Sequence, residues 1–173
     1  GGCGSDFFCS IWTLYVSFPN CGTDTATLRH LYDGDAAANR QAGVRSPDNL
    51  VWSADGNLYV QEDRSTPFTG QEASIFRVNA STGVAERILQ VDRNAALPSG
   101  QADGLAGSLG AWETSGIIDV SNLYGNAPGT DFFFTVQAHG VTGGAVDGFF
   151  LVEGGQLIRA TVGEPQPACR EVV

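Results

Sequence analysis

The chain has no lysine and no methionine, and only two histidines, His30 and His139. Its nine basic side chains, all arginine, face nineteen acidic ones and leave a formal net charge of −10. No basic patch therefore exists to displace counterions from a phosphate backbone, which argues against nucleic acid and anionic membrane surfaces as partners. The two histidines are far apart and no Cys-x-x-Cys pair occurs, so a zinc centre has little to stand on. No apolar run is long enough to span a bilayer. The missing methionine suggests a processed or partial chain. Helical periodicity is absent throughout, and this directs the fold class toward β structure.

What is present is a chain of 173 residues, long enough to bury a core as one domain. Four cysteines, Cys3, Cys9, Cys21 and Cys169, form an even set confined to the terminal segments, as expected of disulfides in a secreted protein. Three pairings are open. Loop length favours Cys9 with Cys21 around one strand and turn, and Cys3 with Cys169 between the termini. Residues 1–24 differ in composition from residues 25–173 and are read as an N-terminal extension strand preceding the β domain. Phe7, Phe8, Ile11, Trp12, Leu14, Tyr15, Val16 and Phe18 place apolar surface on both faces of that segment, with no hairpin partner evident beside it.

Short β-prone runs then alternate with Gly, Asn and Asp turns. Asp55-Gly56 joins Leu50–Trp52 to Leu58–Val60 as a tight hairpin, and the Asn79–Gly83 segment turns between Ser74–Val78 and Val84–Val91. Asn79 begins the sole Asn-x-Ser/Thr sequon and sits at that hairpin tip, a glycosylation candidate. Gly154-Gly155 reads as a further two-residue turn. The Gly/Ala/Ser/Pro-rich stretch from Arg93 to Gly110 is an unusually long loop, which in a compact domain tends to be functional. The pattern predicts an all-β fold, partially propeller-like with about three blades or an open β-sandwich. Carboxylates Asp48, Glu62 and Asp63, with the Asn49 amide, flank one hairpin and form an oxygen-rich rim suited to a hard cation such as calcium. The alternative is that they keep a sheet soluble.

The phrases Arg45-Ser46-Pro47-Asp48-Asn49-Leu50, Asp55-Gly56-Asn57-Leu58-Tyr59-Val60-Gln61-Glu62-Asp63, Glu113-Thr114-Ser115-Gly116-Ile117-Ile118-Asp119-Val120 and Phe134-Thr135-Val136-Gln137-Ala138-His139-Gly140 occur in that order. Over about Leu28 to Ala160 the chain resembles the PhoX-type calcium-dependent alkaline phosphatases and related phytase-like secreted β-propellers. The resemblance implies a six-bladed propeller with a calcium-bearing central channel. Matching metal positions here are Asp48, Asn49, Glu62, Asp63 and Glu113, with Gln137 and His139 near the same mouth. Three departures stand out, and length is the largest one, because six blades of four strands need well over about 200 residues and this chain supplies about half. The family's last phrase looks like Gln-His-Pro-Gly where this chain has Gln137-Ala138-His139-Gly140, and its iron-site cysteine has no counterpart in the central region.

Two functions from different classes follow. The first is an extracellular β-rich subunit that self-assembles through its N-terminal strand into a homo-oligomer or filament. About half a propeller cannot close, and its sheet edges invite another strand. The second is a metal-dependent phosphoester hydrolase with Arg45 or Arg64 as phosphate clamp. No nucleophile with an adjacent base is apparent for it, so the enzyme expectation rests on the resemblance.

Overall fold

The structure is a computed structural model that describes residues 8–19, 22–40, 42–63, 71–97, 99–149 and 153–163. The fold is all-β. Strand β1 (Ser10–Ser17) pairs antiparallel with β2 (Thr25–Asp33). Next, β3 (Pro47–Trp52), β4 (Asn57–Glu62), β5 (Ser74–Asn79) and β6 (Ala85–Gln90) form a four-stranded antiparallel meander in chain order. After a helical turn α1 (Arg93–Ala96) come β7 (Ala102–Asp103) and β8 (Glu113–Asp119). Then follow β9 (Asp131–His139), β10 (Val141–Thr142), the turn α2 (Gly144–Asp147) and β11 (Glu153–Thr161). The order β11-β9-β8 gives a three-stranded sheet, β7 pairs with β10, and none of these sheets closes into a barrel.

Period-two alternation in β4 and β5 explains how the sheets stack. Leu58, Val60, Phe76 and Val78 face one side, where they meet Ile11, Leu31, Tyr32 and Val44 from the N-terminal hairpin and its following loop. Tyr59 and Ile75 face the other side and meet Trp112, Ile117, Phe132, Phe134 and Val136 of the β8–β9–β11 sheet. The Tyr59 and Phe132 rings lie 4.3 Å apart. The four-stranded sheet is thus the middle layer, with its inner strands β4 and β5 covered on both faces. Burying apolar side chains on both sides is the main source of its stability, at roughly 25 cal/mol per Å² of apolar surface removed from water.

The turns follow the sequence expectation where a positive φ is required. Gly56 has φ 84° in the β3–β4 turn. At the β5–β6 tip, the Asn79 carboxamide oxygen accepts the Ser81 and Thr82 backbone amides at 3.0 and 2.9 Å. Gly83 follows at φ 75°, and a Cβ there would lie 2.0 Å from the Leu31 carbonyl oxygen. Only glycine meets both the conformation and that close approach.

Two expectations are corrected. The N-terminal strand has a partner: β1 registers against β2 from Ser10↔Asp33 to Ser17↔Thr25, with a bulge after Ile11. The intervening turn is longer than a tight hairpin signal, which is why adjacency in sequence did not reveal it. Gly154-Gly155 is not a turn but lies inside β11, opposite Ala138 and Gln137. A Cβ on Gly154 would stand 3.4 Å from that of Ala138, an ordinary contact, and one on Gly155 would meet nothing within 4 Å, so neither glycine is required by packing. Of the cysteines, Cys9 is disulfide-bonded, and Cys3, Cys21 and Cys169 lie outside the described residues, as do Phe7 and Arg64.

The long Arg93–Gly110 loop is organised around one buried cation. The Arg93 guanidinium donates to Glu72 Oε1 at 2.7 Å, Asp103 Oδ2 at 2.8 Å, and the carbonyls of Leu105 and Ser108 at 2.9 and 3.0 Å. Glu72 in turn accepts the Gly110 amide at 2.8 Å. Removing one partner of a buried ion network leaves the other charges uncompensated, so Arg93→Leu is expected to lower the unfolding free energy by about 3–5 kcal/mol. Urea denaturation followed by far-UV circular dichroism checks this value.

Candidate functional site

The predicted rim divides into two places. Between Pro47↔Glu62 and Leu50↔Val60 the register of β3 against β4 slips by one residue, so Asp48 and Asn49 sit in a bulge. Bulges re-aim side chains. Here Asn49 Nδ2 donates to Asp48 Oδ2 and, at 3.2 Å, to Ser115 Oγ on β8. Glu113 lies two residues before Ser115 and is therefore on the same side of that strand. It registers against Gln137 of β9, and its Oε1 stands 3.8 Å from His139 Nε2. The His139 carbonyl accepts the Trp112 indole N–H at 2.8 Å, which fixes that strand end. Asp48, Asn49, Glu113, Gln137 and His139 thus follow one seam along β3, β8 and β9, with Ser115 as the link that sequence reasoning missed. The alternation starting from Glu113 was the signal for it.

Glu62 and Arg45 belong to the interior instead. The Glu62 side chain is fully buried and accepts the Arg45 backbone amide at 2.9 Å and the Ser74 amide at 3.0 Å, one on each oxygen. It ties the approach to β3, the end of β4 and the start of β5 together. The Arg45 guanidinium is buried, donates to the Arg40 carbonyl at 3.3 Å and lies 5.7 Å from the Phe8 ring centre. Asp63 continues the pairing through its backbone amide to the Ser46 carbonyl at 3.0 Å. Calcium takes about 6–8 oxygen ligands. Both Glu62 oxygens accept backbone amides, and among the described residues no three His, Cys, Asp or Glu side chains are grouped so as to hold a metal.

Other carboxylates do structural work that the motifs did not announce. Asp119 accepts Ser53 Oγ and the Ser121 and Gly129 amides, the latter two at 2.9 and 2.8 Å. Burial pushes its pKa up, but these hydrogen bonds outweigh burial and hold it below the ordinary aspartate value. Asp131 is buried among Asn126, Thr161 and Arg159, whose hydrogen bonds lower its pKa as well. The Arg159 guanidinium also stacks 3.4 Å from the Tyr124 ring centre. No protein-family model, curated protein or solved structure matches this chain.

Burial raises the Glu62 pKa from its ordinary 4.5 to about 7, the two amide bonds and Arg45 only partly opposing it. The folded state therefore keeps this proton where the unfolded chain has lost it. Its contribution is fully present below about pH 4.5 and is lost as the pH rises through about 7. The melting temperature is expected to fall by several degrees between pH 5 and 7.5, and that slope is expected to vanish in Glu62→Gln. Thermal unfolding across the interval checks it.

Proposed function

We propose that this chain is an extracellular β-rich subunit that assembles with copies of itself through its N-terminal hairpin. One observation carries the reading. Alternation along β1 and its register with β2 put Trp12, Leu14 and Val16 beside His30, Leu28 and Ala26 on the outward face of the hairpin. Trp12, Leu14, Val16 and Leu28 remain 53, 62, 46 and 63% exposed, while on the opposite face Ile11 and Thr13 are buried and Tyr15, further along the strand, is exposed. Contiguous apolar surface of this kind marks an interaction site.

A second copy is the occupant that fits. The far side of the three-layer stack also presents apolar groups, because Ile118 registers with Phe133, and Leu157 lies on the same face, 72% exposed. The two ends of the stack are different surfaces, so a contact between them is heterologous and repeats from copy to copy. The strands at the sheet margins, β1, β2, β3, β6, β8 and β11, each pair on one side only among the described residues, which leaves backbone groups for the same purpose.

An extracellular setting is supported by four cysteines and the Asn79 sequon at an exposed hairpin tip. The proposed pairs are Cys9–Cys21 and Cys3–Cys169, which non-reducing peptide mapping reads directly. Material from the natural source is expected to carry a glycan mass on the Asn79 peptide, and an unmodified peptide would contradict that part.

Assembly is tested by sedimentation velocity over a hundredfold range of concentration. Wild type is expected to shift to larger species as concentration rises, and Leu14→Asp to remain monomeric. Wild type that stays monomeric at every concentration would overturn the proposal.

A further inference from the structure

Between β5–β6 and β9–β11 the two larger sheets leave a cavity of about 390 Å³, walled chiefly by Ile75, Leu89, Phe134, Val136, Ile158 and Ala160. This volume lies within the range of small-molecule sites, about 300–1,000 Å³, and far above that of a single water. Apolar groups that face such a space lack contact partners on one side, and a hydrocarbon ligand would supply them. A second space, of about 520 Å³, is polar, with Gln71, Glu72, Arg93, Asn94 and Asp103 in its lining. Gln90, Val91 and Asp92 belong to both linings, so the two spaces meet where β6 ends. An apolar cavity beside a polar one fits an amphiphile better than a pure hydrocarbon or a sugar.

Charge selects the head group. The polar lining holds three carboxylates, Glu72, Asp92 and Asp103, against one guanidinium, that of Arg93. Arg93 is paired with Glu72 at 2.7 Å and with Asp103 at 2.8 Å, which uses up all three of those groups. Asp92 remains. Its Oδ1 accepts the Asn94 and Ala95 amides at 3.0 and 3.2 Å, which holds the side chain in place, and its Oδ2 has no hydrogen-bond partner among the described residues. Gln90 donates through Nε2 to the Glu72 carbonyl at 3.4 Å, so its oxygen is an acceptor beside the same junction. An anion would meet an unpaired carboxylate on a chain of net charge −10, whereas an ammonium group finds a partner of opposite sign there. We propose that this site binds a single-chain amphiphilic primary amine. The hydrocarbon chain fills the cavity along Phe134, Val136 and Ile158, and the ammonium group donates to Asp92 Oδ2 at the junction. The site lies on the face of the four-stranded sheet away from the hairpin and does not depend on self-assembly.

The test titrates the full chain calorimetrically at pH 7 with octylammonium, hexylammonium and octan-1-ol. At that pH an alkylamine is protonated, as lysine is. Wild type is expected to bind octylammonium about three- to tenfold more tightly than octan-1-ol. Hexylammonium, two methylenes shorter, is expected to bind about tenfold more weakly than octylammonium. Asp92→Asn removes the charge while asparagine still caps the α1 turn, and is expected to bring octylammonium down to the level of octan-1-ol without changing the alcohol. Asp24→Asn, an equal loss of charge at an exposed position on the hairpin, is expected to leave all three ligands as in wild type. Ala160→Phe fills the cavity and is expected to abolish binding of all three. If that variant does not fold, the Asp92→Asn comparison decides alone. The proposal is overturned if octylammonium does not bind, if it binds no better than the alcohol, or if Asp92→Asn leaves it unchanged or weakens both alike. It is also overturned if Asp24→Asn weakens octylammonium as much as Asp92→Asn, or if folded Ala160→Phe binds as wild type.

Discussion

Everything in this molecule depends on β4 and β5, the inner strands of the four-stranded sheet, being buried on both faces. Leu58, Val60, Phe76 and Val78 need the N-terminal hairpin to cover them, while Tyr59 and Ile75 need the β8–β9–β11 sheet. A one-residue slip in β4 would turn both sets away from their partners at once, so the register is fixed by two cores rather than one. The cost of this arrangement appears at the ends of the stack. The base of the hairpin, through Ile11, Leu31 and Tyr32, and the three-stranded sheet each cover the centre with one face and leave the other to solvent or to a neighbour. Interaction surfaces at the two ends are therefore a consequence of how the core is built.

Buried carboxylates hold the connections that apolar packing cannot. Glu62 joins three segments through two backbone amides, Glu72 and Asp103 fix the long loop through Arg93, and Asp119 and Asp131 order the approach to β9. Backbone donors in loops must find acceptors once water is excluded, and a carboxylate serves two at a time. This use of acidic residues accounts for part of the negative balance of the sequence. It also separates Glu62 from the exposed seam of Asp48, Asn49, Glu113 and His139.

Much of the fold was legible because its signals are local. Alternating apolar residues with Asp55-Gly56 and Asn79–Gly83 turns specify β3 to β6 directly, and apolar runs such as Phe132–Val136 mark β9. What escaped lacked a local signal. Pairing of β1 with β2 carries no tight-turn signal between the two strands, and Gly154-Gly155 imitates a turn although it lies in β11 opposite Ala138 and Gln137 of β9. The rim of acidic residues was visible in the sequence, but not its division, because whether Glu62 points to solvent or to the Arg45 and Ser74 amides depends on segments distant in the chain. Arg93 carried no motif at all, since its partners Glu72 and Asp103 are joined only by the folded loop.

The central claim is that the outward face of the N-terminal hairpin is covered by another copy. Trp12 lies on that face, stacked 4.3 Å from His30 and 53% exposed in the single chain, whereas Trp112 is fully buried. With exposed Trp52 replaced by phenylalanine, acrylamide quenching of tryptophan emission reports on Trp12 against the constant background of Trp112. The account predicts that quenching falls as protein concentration rises and returns on dilution. Quenching that is the same at every concentration, at the level of an exposed indole, would contradict it.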